Sequence, residues 1–321
     1  MSETKINICQ VSLKRDIPLI IENFNNFKKL YNSKIKFYII CPNDQIKEFN
    51  RRLNFKEVEI INENKLISLK KFEIIFKNLF KDVSYKKKFK KRLSWYYQQV
   101  LKISFIVKFT LHNNKNLIIW DADTIILKKI NFFYKNQSIN YGNFYEFNKN
   151  YYLTNRSILN KVSNYHISFL NQFISITKKE CSSLQINLFK KKVLKKKLAE
   201  KISILILRKI LITHKNYDGS MFSEFELIGQ SNYILNHKVQ KPILFLRQNL
   251  DGRLSNWQKK IAKKLNYKHV TYEHMHKGKK NKGMLNRQQS LIGFIKIILR
   301  DFMTFYIKSI FHYFNFFVRL K

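Results

Sequence analysis

The sequence predicts an α/β fold with a mostly parallel sheet flanked by helices, a helical insertion and a C-terminal amphipathic helix. Three features indicate it: apolar runs alternate with amphipathic segments near the N-terminus, residues 176–212 are mainly helical in character, and residues 291–321 combine a wide apolar face with a narrow polar stripe. Alternating strands and helices favour parallel pairing, because parallel strands need a long crossover between them.

The N-terminal elements follow from apolar runs and from the residues that end them. Asp16 followed by Pro18 indicates a helix start, with Asp16 as its cap, and Pro42 ends the second apolar run. The predicted order is strand 5–12, a helix from Asp16, strand 35–41, a helix around Ile46 and Phe49, and strand 58–61. In such sheets, ligands bind beyond the carboxyl ends of the strands.

The rest of the chain predicts more helix than strand. The predicted order is helix 66–80, helix 95–108, strand 117–120, helices within 176–212, helix 218–237, and strands 243–246 and 269–272. No internal repeat or low-complexity linker interrupts this series. We therefore expect one domain over residues 1–285, followed by a basic and aromatic tail over residues 286–321.

The chain is strongly basic. It has 62 Lys and Arg against 21 Asp and Glu, a formal net charge of +41. Abundant Lys, Asn and Ile with scarce Gly and Pro suggest a bias towards AT-rich codons, which explains part of the excess. The remaining charge should attract phosphates, in nucleotides, nucleic acid or anionic lipid.

Cysteine usage and the N-terminus favour a cytoplasmic location. Three widely spaced cysteines suggest neither a disulfide framework nor a zinc site. The first residues, MSETKINICQV, lack the apolar run of a signal peptide.

The tail predicts contact with a membrane surface. Polar residues recur every three or four positions from Lys296 to Arg319, and apolar or aromatic residues fill most other positions. No uncharged stretch approaches the roughly 20 residues that span a bilayer. A wide apolar face with a basic stripe is typical of a helix lying in the membrane interface, so we expect peripheral binding to the anionic inner face of the cell membrane. The alternative is a helix buried against the domain.

Two acidic residues stand out in this basic chain. Asp121 and Asp123 follow the apolar run 117–120, within NLIIWDADTII. Two carboxylates one residue apart can converge on Mg²⁺ or Mn²⁺, together with the phosphate oxygens of a substrate. The cation can then neutralise the charge that develops on a diphosphate leaving group.

Several motifs resemble bacterial glycosyltransferases of the GT-A fold. They are WYYQQVLK at 95–102, NLIIWDADTIIL at 116–127, FSEFELIG at 222–229 and VSLKRD at 11–16. The pattern is most similar to a group known as a domain of unknown function, and it covers roughly residues 5–240. The resemblance implies a nucleotide-sugar donor, a divalent metal at the D-x-D motif, and transfer to an acceptor hydroxyl of a cell-surface glycan or lipid-linked molecule.

The resemblance also implies roles for individual residues. Asp123 would be the main metal ligand, and Asp121 would hold the ribose or share the metal. A late histidine, His276, would be a further metal ligand. The residues implied to contact the nucleotide-sugar are Ser12, Lys14, Arg15, Asp16, Gln98, Gln99 and Lys102.

A catalytic base is expected near residue 224. Glu224 and Glu226, two apart on a helix, do not share a face, so we expect one of them to point into the cleft. Either carboxylate could accept the proton of the acceptor hydroxyl, and Asp218 is a further candidate.

Two other functions fit part of the pattern. A nucleotidyltransferase would use the same acidic metal site, but it usually carries a glycine-rich signature that VSLKRD lacks. A basic nucleic-acid-binding protein would explain the charge. However, no helix-turn-helix, zinc-finger or RNA-recognition signature is present, so we expect no specific nucleic-acid partner.

Overall fold

The computed structural model describes most of the chain. The described residues are 5–32, 34–81, 91–113, 115–142, 148–161, 168–189, 197–214, 220–236, 240–248, 253–272, 292–300, 302–303 and 306–307. They form a mixed α/β structure, which confirms the predicted fold class.

A five-stranded sheet forms the centre. Its strands are β1 (Ile6–Val11), β2 (Ile35–Cys41), β3 (Val58–Asn62), β4 (Leu117–Trp120) and β9 (Phe173–Ile176), in the spatial order β3-β2-β1-β4-β9. The first four are parallel, and β9 pairs antiparallel with β4. All four sequence-predicted strands of this sheet are therefore confirmed, within one or two residues.

Smaller sheets extend from the centre. Their strands are β5 (Thr124–Ile126), β6 (Phe133–Tyr134), β7 (Gln137–Ser138), β8 (Asn140–Gly142), β10 (Gln240–Pro242), β11 (Leu246–Gln248) and β12 (His269–Tyr272). They pair as β11-β12-β5, β10-β8 and β6-β7. The predicted strand 243–246 coincides with β11 only at Leu246: residues 243–245 lie between two strands, and their apolar character reflects burial of Ile243 and Phe245 without strand pairing.

Helices cover the sheet. They are α1 (Ile17–Leu30), α2 (Ile46–Arg52), α3 (Leu69–Leu79), α4 (Leu93–Asn113), α5 (Lys149–Leu159), α6 (Lys178–Phe189), α7 (Leu198–Thr213), α8 (Glu224–Asn236), α9 (Asn256–Lys264) and α10 (292–300). The predicted helix 218–237 begins later than expected. Ser223 starts it, since its hydroxyl accepts a hydrogen bond from the N–H of Glu226 at 3.4 Å.

The two faces of the central sheet bury different cores. Ile8 packs with α1, while the adjacent Cys9 faces α4, as the two-residue period of a strand requires. Trp120, the last residue of β4, is fully buried. Its ring lies 5.0 Å from that of Phe27 and 5.1 Å from that of Phe173, measured between centroids. This packing fixes the end of β4, where Asp121 follows.

Candidate functional site

The carboxyl ends of β1 and β4 define the candidate site. The strand order reverses at β1, because β2 and β3 lie on one side of it and β4 on the other. Gln10 lies near the end of β1, Ser12 follows the strand, and Asp121 follows β4 beside them. The Gln10 side-chain amide donates to the carbonyl oxygen of Asp121 at 3.5 Å. Crevices at such reversal points are where open α/β sheets bind ligands.

The D-x-D motif forms a tight connection between β4 and β5. The N–H of Thr124 donates to the carbonyl oxygen of Asp121 at 3.1 Å. Neighbouring segments hold both acids by their backbones: the N–H of Asp121 donates to Gln172 O, and the N–H of Tyr272 donates to Asp123 O, each at 2.9 Å. Gln172 itself has a left-handed backbone, with a φ of 62°. Asp121 and Asp123 are both partly exposed, so a ligand can reach them.

Lys102 joins two of the candidate acids. Its Nζ lies 2.5 Å from Asp121 Oδ1 and 2.6 Å from Glu224 Oε1, and also 4.7 Å from the centroid of the Phe225 ring. Burial disfavours the ammonium, but the two carboxylates outweigh that cost, so the pKa of Lys102 lies above its ordinary value. Lys102 is therefore a cation at neutral pH, and it links α4, β4 and α8.

The two glutamates of α8 point to different surroundings. Glu224 contacts Lys102, and burial raises its pKa while the ammonium opposes this shift. Glu226 instead accepts from the Ser168 hydroxyl and, at 2.9 Å, from the N–H of Phe169. Burial raises the pKa of Glu226 to about 7. The prediction that the pair would not share a face agrees with these contacts, and Glu224 is the one beside Asp121.

Three buried polar atoms at this edge of the sheet have no hydrogen-bond partner within the described residues. They are Gln10 Oε1, Ser12 Oγ and Gln99 Nε2. The other amide atom of Gln99, Oε1, accepts from the N–H of Glu224 at 3.1 Å, which fixes this side chain. Leaving a buried polar atom unpaired costs about 1–3 kcal/mol, so these atoms suit a polar ligand.

The segment after β1 exposes two cations. Lys14 and Arg15 are exposed on a single 3-10 turn, and the backbone N–H of Lys14 donates to Gln45 Oε1 at 2.7 Å. Asp16 occupies the cap position of α1, but its carboxylate does not cap that helix. It accepts instead from the N–H of Leu13 at 3.0 Å, so the expected capping role is wrong.

Of the remaining candidate site residues, one lies within the described residues and two lie outside them. Gln98 is partly exposed on α4, one turn before Lys102. Asp218 and His276 lie outside the described residues, and their roles stay predictions.

The donor set suits a hard divalent cation. Asp121 and Asp123 supply carboxylate oxygens, the ligands that Mg²⁺ and Mn²⁺ prefer. Asp121 shares one oxygen with Lys102, and Asp123 Oδ1 accepts from the Thr124 hydroxyl at 3.4 Å. Within the described residues there is no group of three or more His, Cys, Asp and Glu side chains that could hold a metal.

Sequence reasoning missed the residues that support the site. Ser168 and Phe169 hold Glu226, and Tyr272 holds the backbone of Asp123. Gly229 is the residue that lets α8 approach this segment, because a Cβ there would lie 2.1 Å from the Phe169 ring. Glycine inside a helix is costly, and that rule could have flagged Gly229.

A surface pocket lies away from this site. Its volume is about 350 Å³, and its lining includes Tyr38, Glu59, Phe105 and Phe109. None of the candidate residues lines it.

Comparison with known proteins identifies a family. The model described as "Family of unknown function (DUF6492)" matches residues 14–209, so the chain belongs to that family. The matched region contains Lys102, Asp121 and Asp123. No curated protein sequence matches the chain significantly.

Solved structures show a distant likeness. The galactosyltransferase LgtC, in complex with donor and acceptor sugar analogs, aligns with 91% of this chain and 95% of its own, at 7% identity and a TM-score of 0.45. Apo mouse xyloside xylosyltransferase 1 aligns with 85% of this chain and 98% of its own, at 8% identity and a TM-score of 0.38. Likeness of this degree does not identify an activity.

Proposed function

We propose that this chain is a metal-dependent glycosyltransferase that moves a sugar from a nucleotide-sugar donor to a hydroxyl of a glycan or lipid-linked acceptor. The observation that carries the proposal is the position of Asp121 and Asp123. They follow a buried strand at the reversal point of the sheet, beside unpaired polar atoms and a buried lysine. The motif resemblance supports the same class.

The donor would lie across the ends of β1 and β4. Lys14 and Arg15, exposed just beyond β1, suit its phosphates, since both side chains donate charge-assisted hydrogen bonds. Ser12, Gln10 and Gln99 offer the unpaired atoms described above to its polar groups. A nucleotide-sugar donor supports a cytoplasmic location, where such donors are available. The proposed reaction requires no nucleic-acid partner.

Asp123 and Asp121 would hold Mn²⁺ or Mg²⁺ against the diphosphate. The metal would supply positive charge where the leaving nucleoside diphosphate becomes more negative. Lys102 orients the Asp121 carboxylate, since its ammonium lies 2.5 Å from it.

The acceptor hydroxyl must lose a proton as its oxygen bonds to the anomeric carbon and the bond from that carbon to the phosphate breaks. We assign proton acceptance to Glu224, because it reaches the network of Asp121. Glu226 is assigned a supporting role, because its carboxylate contacts Ser168 and Phe169 rather than the Lys102–Asp121 pair.

The test is a screen of nucleotide sugars for thermal stabilisation with and without Mn²⁺. We expect one nucleotide sugar to raise the melting temperature, with a larger shift when Mn²⁺ is present. That donor should then release a nucleoside diphosphate during turnover, whereas a nucleotidyltransferase would release pyrophosphate or consume it.

The matched variants are Asp123→Asn and, as a control at a half-buried acid on α2, Glu48→Gln. Asp123→Asn should lower the turnover at least about 100-fold, a loss typical of removing a catalytic electrostatic group, and remain folded. Glu48→Gln should keep full turnover. Full metal-dependent turnover in Asp123→Asn would refute the metal assignment, and no stabilisation by any nucleotide sugar would refute the class.

A further inference from the structure

The C-terminal helix α10 has one face that packs on the domain. Phe294 is fully buried and Ile298 nearly so, in a cluster that also contains Tyr267 and Val270. The Phe294 ring meets the Trp257 ring edge-on, with 5.5 Å between centroids. The Tyr267 hydroxyl donates to the carbonyl oxygen of Ile298 at 3.4 Å. These contacts account for one apolar stripe of the helix.

A second apolar stripe faces outwards. Ile292 is 68% exposed, Ile295 41% and Leu299 56%. At 100° per residue these three positions fall within about 60° of one another, and each lies about 100° or more around the helix from Phe294. The spacing continues beyond α10 through exposed Phe302, Met303 and Tyr306. A helix that only packed on the domain needs one apolar stripe, not two.

Positive charge borders the second stripe. Lys296 and Arg300 are exposed on α10, at the edge of the outward face. The neighbouring α9, which contacts α10 through Trp257, exposes Lys260, Lys263 and Lys264. The segment 286–321 contains six Lys and Arg and a single acid, Asp301.

We propose that the outward face of α10, with the exposed lysines of α9, is a docking surface for an anionic lipid bilayer. Helices that lie in the membrane interface combine an apolar strip with flanking basic residues, and stable binding needs both signals. Trp257, 38% exposed between the two helices, is of the residue type enriched at membrane interfaces. A second copy of the chain fits less well, because a symmetric contact would bring these lysines together.

The sequence left two alternatives open for the tail, binding to a membrane surface or packing on the domain, and this surface is compatible with both. The tail packs on the domain through Phe294 and faces the bilayer through Ile295 and Leu299. None of the described helices is long and apolar enough to cross a membrane.

The experiment is co-sedimentation of the full chain with vesicles. One set contains phosphatidylglycerol in phosphatidylcholine, and the other phosphatidylcholine alone. We expect binding to the anionic set only, weakening as salt is added. The test variant is Ile295→Glu/Leu299→Glu, and the matched control is Ile186→Glu/Ile212→Glu, which changes the net charge equally at exposed isoleucines on α6 and α7.

The test variant should bind at least about ten-fold more weakly, since it loses two apolar contacts and gains two repelled charges, while the control stays within about two-fold. Both should melt at the wild-type temperature, since the four side chains are exposed. Equal loss in both variants would overturn the proposal by showing that net charge alone drives binding. The proposal would also be overturned if the wild type formed a dimer, bound no vesicles, and was made monomeric by the test variant but not by the control. That result would assign the face to a second copy of the chain.

The result is independent of the proposed catalytic activity. Vesicle binding is measured without any nucleotide sugar, and neither variant alters a candidate site residue. Failure of the donor screen therefore leaves the docking surface standing, and failure of docking leaves the donor site standing.

Discussion

Glu224 and Glu226, two residues apart on α8, hold Asp121 from two directions. Glu224 acts through Lys102, whose ammonium contacts the Asp121 carboxylate. Glu226 binds Ser168 and the N–H of Phe169, at the start of the segment that ends with Gln172. The carbonyl oxygen of Gln172 then accepts the N–H of Asp121 at 2.9 Å. The first turn of α8 therefore fixes both the side chain and the backbone of this acid.

Lys102→Met should destabilise the fold. It leaves the Glu224 and Asp121 carboxylates without their shared cation, and breaking a buried ion pair in this way costs about 3–5 kcal/mol. The free energy of unfolding in urea measures this loss. The double variant Lys102→Met/Glu224→Gln should recover part of it, with a coupling energy of about 0.5–3 kcal/mol. Strictly additive losses would mean that the lysine and the glutamate do not interact.

Glu226→Gln should remove a pH dependence of stability. The pKa of Glu226 is raised from 4.5 to about 7 in the folded state, so folding favours the protonated acid. Its contribution is fully present below pH 4.5 and is lost as the pH rises through 7. The loss corresponds to about 3 kcal/mol, at about 1.4 kcal/mol for each pH unit between the two pKa values.

Urea unfolding of the wild type and of Glu226→Gln at pH 4.5 and pH 8 isolates this term. The difference in stability between the two proteins should shift by about 3 kcal/mol in favour of the variant at the higher pH. A difference that does not change with pH would contradict the burial of an ionisable Glu226. Glu59→Gln serves as a control at an exposed carboxyl on β3.

Gly229→Ala should destabilise the protein, although alanine is the better helix former. Helix propensity alone predicts a gain of about 1 kcal/mol. The added Cβ, however, would lie 2.1 Å from Phe169 Cγ and 2.5 Å from Phe169 Cβ, and such overpacking costs about 1–3 kcal/mol or more. Thermal unfolding decides between the two effects, because an unchanged or higher melting temperature would show that α8 and Phe169 do not meet closely.

Lys14→Gln/Arg15→Gln should weaken donor binding without affecting the fold. Both side chains are exposed, and each charge-assisted hydrogen bond to phosphate contributes about 1.5–3 kcal/mol. We expect the Kd for the donor found in the screen, measured by calorimetry, to rise at least about ten-fold. Lys70→Gln/Lys71→Gln, on α3, removes two charges elsewhere on the surface and should leave Kd within about two-fold.

Local pattern was enough to place the acidic pair but not the partners that surround it. The apolar run 117–120 predicted both β4 and the position of Asp121, because strand pattern and turn position are local properties. The contact between Lys102 and Glu224 joins residues 122 positions apart, and no local rule encodes it. Both residues were predicted to belong to the site, but their mutual contact was not.

The two wrong sequence predictions, the capping role of Asp16 and strand pairing over residues 243–245, also depend on contacts that local sequence does not encode. The carboxylate of Asp16 had two nearby donors available, and tertiary packing selected the N–H of Leu13 rather than the start of α1. The run 243–246 is apolar because Ile243 and Phe245 are buried, and burial does not require strand pairing. Propensity and apolar pattern report burial better than they report hydrogen-bond partners.

The three-stranded sheet β11-β12-β5 connects the proposed docking surface to Asp123. Phe294 packs against the cluster that contains Val270 of β12, and Tyr272, at the end of the same strand, donates its N–H to Asp123 O. In a chain bound to lipid through α10, Asp123 would therefore lie at a fixed distance from the lipid headgroups. For acceptors anchored in the membrane, turnover should then be highest at one length of the spacer that joins the lipid to the acceptor hydroxyl. Turnover that does not change with spacer length would contradict this fixed distance.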